Sequence, residues 1–222
     1  MNKNLLIVGA GAYGVVASNI AHEMGCFEKI DFVDDGNEST PTGEKVIGKI
    51  KDLAEINCEY SNIIVAIDSP DIRLNLLTKI QEETNFRIAT LVSPKAHVAP
   101  SAQIMPGCII EPMAVIQSMS HLAIGCFVSS GAVVNYASMC CDGVHVEANS
   151  TIAASTLVPA GTRVKCGEVF DRKTMDINDF FFNPEEWTKR MNELKNLSRC
   201  VPLFRLAVNS TTSMMLCEVK YV

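Results

Sequence analysis

From Val98 onward the chain repeats with a period of six, and no other feature of it restricts the fold as severely. Val98, Ile104, Ile110, Ile116, Leu122, Val128, Val134, Cys140, Val146, Ile152, Val158 and Val164 follow at that interval without a gap, and eleven of the twelve are Val, Ile or Leu. A second column, two residues ahead of each, runs from Ala96 through Cys108, Ala114 and Ala132 to Thr162 and holds small or β-branched residues. Three residues after the aliphatic column come Gly107, Gly125, Gly131, Gly143, Asn149, Gly161 and Gly167. Residues two apart share one face of a strand, and Gly or Asn at a fixed offset supplies the left-handed backbone of a tight corner. The three columns therefore describe a triangular coil of short parallel strands. Each six-residue side sends one aliphatic and one small side chain into a narrow prism. Three sides close one coil of about 18 residues, so twelve sides make about four coils.

The first ninety residues follow a different rule. Leu5 to Val8 reads as a strand, Gly14 to Met24 as a helix, Ile30 to Val33 and Ile63 to Ile67 as strands, and Asp71 to Glu83 as a helix opened by Ser69 and Pro70. Short buried strands feeding helices through tight turns imply a small parallel Rossmann-like sheet of four or five strands, with ligands at the strand C-terminal ends. The reading divides the chain into an α/β unit over 1–92, the coil over 93–170 and an extension over 171–222. In the extension, Asn183 and Pro184 cap a helix near 184–197 whose Trp187, Met191 and Leu194 form an apolar stripe. This helix is expected to cover the open end of the coil. Residues 201–222 carry no pattern that assigns them.

Charge and cysteine usage narrow the partners. With 19 Lys and Arg against 25 Asp and Glu the net charge is −6, and no basic run exists to neutralise a duplex, so nucleic acid is excluded as a first partner. No apolar run reaches the roughly 18 residues of a membrane span, and Met1 to Val8 is too short for a secretory signal, which points to a soluble cytoplasmic protein. The nine cysteines are odd in number and form no C-x-x-C pair, and His22, His97, His121 and His145 are scattered. Free thiols acting as small hydrophobes are expected, with no metal site.

Gly9, Gly11 and Gly14 directly follow a strand and open a helix, where backbone amides approach a phosphate at the positive helix end. Asp34 and Asp35 end the second strand, placed to accept hydrogen bonds from a ribose or base. A dinucleotide such as NAD fits this pattern, but the short remainder of the unit leaves little room for a second mononucleotide half.

The hexapeptide columns resemble those of left-handed β-helix acyltransferases. The Rossmann-like unit in front narrows the resemblance to sugar acetyltransferases of the sialic acid and bacillosamine type, over roughly residues 3 to 170. The resemblance implies an α/β domain binding a nucleotide-linked sugar, followed by an all-β left-handed parallel β-helix of about four coils that binds acetyl-CoA, and acetyl transfer to a sugar amine or hydroxyl in surface-glycan synthesis. It implies sugar-nucleotide contacts at Gly9, Gly11, Tyr13, Gly14, Asp34, Asp35, Ala66, Ile67 and Asp68, with Arg73 as a phosphate contact; Tyr13 stands where many relatives have His.

In that family the base is a His followed by an acidic residue, with a second His nine residues later. The best register puts Tyr136 and Ala137 in the first two positions and His145 in the last. A phenol of pKa about 10 is a poor base at neutral pH. Three readings stay open: a transferase using His145 or Tyr136, one using His121, and a non-catalytic or regulatory relative acting as a trimeric scaffold. The family forms homotrimers, and outward Met113, Met119, Phe127 and Met139 are apolar residues that a monomer would expose.

Overall fold

The computed structural model describes residues 3–56 and 58–171. The extension over 172–222, with its expected helix near 184–197, lies outside the described residues.

The four residues of β1 (Leu5–Val8) are apolar without alternation and buried on both faces, as the middle strand of a covered parallel sheet requires. The chain continues through α1 (Ala12–Met24), β2 (Ile30–Val33), β3 (Val46–Gly48), α2 (Leu53–Ile56), β4 (Asn62–Val65), α3 (Pro70–Glu83) and β5 (Arg87–Ile88). The five strands are parallel in the order β3-β2-β1-β4-β5. Helix α1 starts two residues earlier than its sequence pattern suggested, because Gly11 already serves as its N-cap. Strand β4 ends at Val65, which releases Ala66, Ile67 and Asp68 into the loop before α3. That loop ends at Ser69, whose side chain accepts from the Ile72 amide while Pro70 takes the first turn.

The repeat region is a parallel β-helix with sheets of five, five and four strands. The first face stacks Leu91–Val92, Ile109–Ile110, Phe127–Val128, His145–Val146 and Arg163–Val164. The second stacks His97–Val98, Val115–Ile116, Val133–Val134, Thr151–Ile152 and Val169–Phe170. The third stacks Gln103–Ile104, His121–Leu122, Met139–Cys140 and Leu157–Val158. Two strands exceed the twelve of the repeat, one at each end. The aliphatic column from Ile110 to Val164 is fully buried in the prism together with Cys108, Cys126 and Cys140, whose thiols pack as small apolar groups.

The two units share a core. Leu91, Ile109 and Phe127, the lower outward residues of the first face, pack with Leu5, Ile7, Ala17, Ile20 and Phe32 of the α/β unit. Phe127 and Met139, expected on exposed faces, are therefore not exposed: Phe127 lies under the α/β unit and Met139 is buried on the third face. Met113 fits the expectation, at 68% exposed.

Candidate active site

In an open parallel sheet, ligands bind beyond the strand C-terminal ends where the order of connections reverses. Here that point lies between β1 and β4, so the glycine turn after β1 and the Ala66–Asp68 loop after β4 form its two walls. The three glycines have different duties. A β-carbon on Gly9 would stand 2.8 Å from the Ala66 carbonyl oxygen, and one on Gly14 2.1 Å from the Gly9 oxygen, so both are needed for close packing. Gly11 has nothing within 4 Å of that position and faces open space.

Asp34 holds the turn from the side. Its Oδ2 accepts from the Ala10 amide at 2.8 Å, and its Oδ1 accepts from the Gly36 and Asn37 amides. Burial pushes this carboxyl up, but these hydrogen bonds outweigh it and hold the group below the usual carboxylate range. Asp35 accepts from the Ile50 amide at 2.9 Å. Both acidic side chains thus shape the loop, a duty that spacing alone did not reveal.

The outward column of the first face changes character above Phe127, where His145 and Arg163 replace apolar residues. His145 has no exposed surface. Its Nε2 lies 3.1 Å from Ser129 Oγ and 3.4 Å from the Tyr13 hydroxyl. Its Nδ1 lies 3.3 Å from Asp68 Oδ1, within ion-pairing distance but outside hydrogen-bonding geometry. Arg163 donates to Asp68 and, at 2.6 Å, to Glu147. Tyr13, Phe127 and His145 pack as three rings with centroids 5.5–5.6 Å apart. Burial first, then Arg163, lowers the His145 pKa to about 4, against the raising effect of Asp68. The imidazole is therefore neutral at pH 7, and a carboxylate beside Nδ1 favours the proton there, leaving Nε2 an acceptor.

Docking of the two units thus joins Tyr13, Asp68 and His145, while Ala66 and Ile67 contribute main chain to the same loop. Arg73 is a correction. Expected at a phosphate, it has no exposed surface and donates to the carbonyls of Ile67, Asp68, Gly125 and Gly143, with its guanidinium 3.9 Å from the Phe127 ring centroid. It staples α3 to the β-helix. Tyr136 lies at the corner between the second and third faces, across the prism from His145, and is 43% exposed. His121 sits on the third face with Nδ1 3.2 Å from Gln103 Oε1 and Nε2 buried without a partner. Neither belongs to the His145 cluster. Sequence reasoning missed Arg163, Ser129 and Glu147. Arg163 was within reach, since it stands one coil of eighteen residues above His145 and points the same way.

The PglD N-terminal domain family matches residues 4–80. The acetyltransferase domain of PglB from Neisseria gonorrhoeae FA1090, solved in complex with acetyl coenzyme A, superposes with a TM-score of 0.72 at 27% identity, covering 78% of this chain and 84% of that one. The chain is thus similar in its first unit to the PglD N-terminal domain and in its overall fold to that acetyltransferase domain. The same fold recurs in a variant of perosamine N-acetyltransferase from Caulobacter crescentus, solved in complex with CoA and GDP-perosamine, at a TM-score of 0.58 and 19% identity over 76% of this chain and 91% of that one. Among curated proteins none matches. Among the described residues no three His, Cys, Asp or Glu side chains group to hold a metal ion, and no helix is long and apolar enough to cross a membrane.

Proposed function

We propose that this protein transfers an acetyl group from acetyl-CoA to an amine, or a hydroxyl, of a nucleotide-linked sugar used in surface-glycan synthesis. The observation that carries the reading is the contact between units: Tyr13 of the glycine turn reaches 3.4 Å from Nε2 of His145 on the β-helix. A sugar nucleotide seated on the turn, against open Gly11 and the Ala66–Asp68 loop, brings its sugar beside the proton acceptor. Little more than positioning, a base and a donor to the developing oxyanion is required of a thioester acyl transferase. His145 is the final proton acceptor of the proposal.

A homotrimer in the cytoplasm belongs to the same proposal. Exposed Met113, Tyr136 and Val169 on the outer corners and second face support assembly. Light scattering that returns the mass of a single 24.2 kDa chain would remove it.

Mass spectrometry after incubation with acetyl-CoA and UDP-, dTDP- and GDP-linked amino sugars tests the reaction. A product heavier by one acetyl group is expected, with His145→Gln reducing turnover by about 100-fold or more. No product from any of them, with ligand binding still measurable, supports the second reading, a non-catalytic sugar-nucleotide-binding relative. Tyr136 and Ala137 at the family's base positions favour that alternative.

A further inference from the structure

The enclosure of His145 raises a difficulty for the proposed reaction. With no exposed surface, the imidazole cannot touch an acceptor amine directly. Two hydroxyls lie within reach of Nε2: Ser129, which is itself 8% exposed, and Tyr13, which is partly exposed and belongs to the turn that would hold the acceptor. Tyr13 and His145 meet edge to face at 77°, and Phe127 packs against both, so the phenol ring is held with its hydroxyl within reach of the imidazole.

We infer that Tyr13 is the catalytic residue that takes the proton of the acceptor amine and hands its own to His145 Nε2, with Asp68 and Arg163 as positioning residues behind the imidazole. The inference rests on the acetyl-transfer reading above. In the balanced step the amine nitrogen attacks the thioester carbonyl carbon, a C–N bond forms and the C–S bond breaks. The amine proton passes to the Tyr13 oxygen as the phenol proton passes to Nε2, so the phenol is neutral before and after. The imidazolium that forms faces the Asp68 carboxylate. The same path returns a proton to the departing CoA sulfur, giving amide and free thiol with no outside reactant.

The geometry explains how a phenol serves without ionising beforehand. Burial and the charge of Asp68 both raise the Tyr13 pKa, so a free phenolate is disfavoured, and a neutral acceptor behind the hydroxyl is what makes it useful. The charged groups around the imidazole are Asp68 from the loop after β4, Arg73 from α3, Arg163 from the first face and Glu147 beside the His145 strand. Tyr13 also senses Glu111 and Arg163. Arg163 lowers and Asp68 raises the His145 pKa, so removing either must move the pH dependence in opposite directions.

Turnover and KM, measured from strongly acid pH, below the His145 pKa of about 4, to neutral pH for the wild type, Tyr13→Phe, Asp68→Asn and Arg163→Gln, test the inference together with the mass of the protein after acetyl-CoA alone. Tyr13→Phe is expected to lose about 100-fold or more in kcat with KM for the sugar nucleotide nearly unchanged. The acid limb of kcat should shift to lower pH in Asp68→Asn and to higher pH in Arg163→Gln, which a merely structural role would not produce. A Tyr13→Phe enzyme that keeps its kcat, or loses only in KM, overturns the relay. So do limbs that stay fixed, or an acetyl group found on the protein, which would make Ser129 a nucleophile. A wild type that acetylates no sugar instead defeats the transfer reading, and the relay falls with it.

Discussion

A guanidinium without exposed surface is stable only if its donors are answered, and Arg73 answers four carbonyls drawn from both units. Burial lowers its pKa to about 10, still charged at neutral pH. Arg73→Leu leaves those oxygens without donors and should cost about 2–4 kcal/mol in urea unfolding. Arg73→Lys should recover little, because an ammonium has no planar fork. Two further residues set opposite pH trends. Burial raises the Asp142 carboxyl to about 6 although the Ile124 amide donates to it. A carboxyl raised in the folded state gives stability that is present below its unfolded pKa of about 4 and lost as pH rises through 6. Asp142→Asn, which keeps the acceptor oxygen, should therefore raise stability at pH 7 by roughly 1–3 kcal/mol and change little near pH 4. The lowered His145 acts the other way: the unfolded chain binds its proton first, so stability falls as pH drops from 6.5 toward 4. Thermal melts of the wild type, Asp142→Asn and His145→Gln across that range separate the two.

At the scale of elements, the three corners of the β-helix are not equivalent, although the hexapeptide phase treats them alike. The corner between the third and first faces is glycine in every described coil, at Gly107, Gly125, Gly143 and Gly161, whereas the corner between the second and third faces holds positive φ at Met119, Ala137 and Ser155. Backbone conformation alone does not demand glycine, then. The all-glycine corner is the seat of α3: a β-carbon on Gly125 would lie 2.9 Å from Leu77 Cδ1, and one on Gly143 2.9 Å from Leu74 Cδ1. Gly125→Ala should combine left-handed strain with a clash against the helix and cost about 2–4 kcal/mol. Gly167→Ala, with nothing within 4 Å, bears only the strain of roughly 1–2 kcal/mol. Equal urea midpoints for the two variants would contradict this assignment of the corner. Sequence spacing predicted that corners exist; which corner carries a helix depends on contacts such as Leu77 with Gly125 and Leu74 with Gly143, between residues far apart in the chain.

The described residues form one packed body, because Phe127 belongs to the core of the α/β unit while its own strand belongs to the β-helix. Phe127→Ala should cost about 3–5 kcal/mol and destabilise both units together. Far-ultraviolet dichroism and Trp-independent near-ultraviolet signals from the tyrosines should then melt in a single coincident transition; two separated transitions would show that the units fold independently. The same docking makes the candidate site, and it marks the limit of reading from sequence. The period of six, the inward columns and the glycine turn are local or strictly repeated, so the residues that produce them also display them. His145 and Tyr13 were legible as candidates by resemblance, but nothing near either residue in the chain indicates that they meet. Asp68 supplies a carboxylate to His145 from 77 positions away, Arg163 is tied to that carboxylate rather than to solvent, and Arg73 is withdrawn from any ligand by carbonyls of two distant corners. Repetition determined the prism from sequence alone. The partners of its outward side chains were decided only when the α/β unit came to rest on the first face, since burial and charge pairing between distant residues exist only in the folded chain.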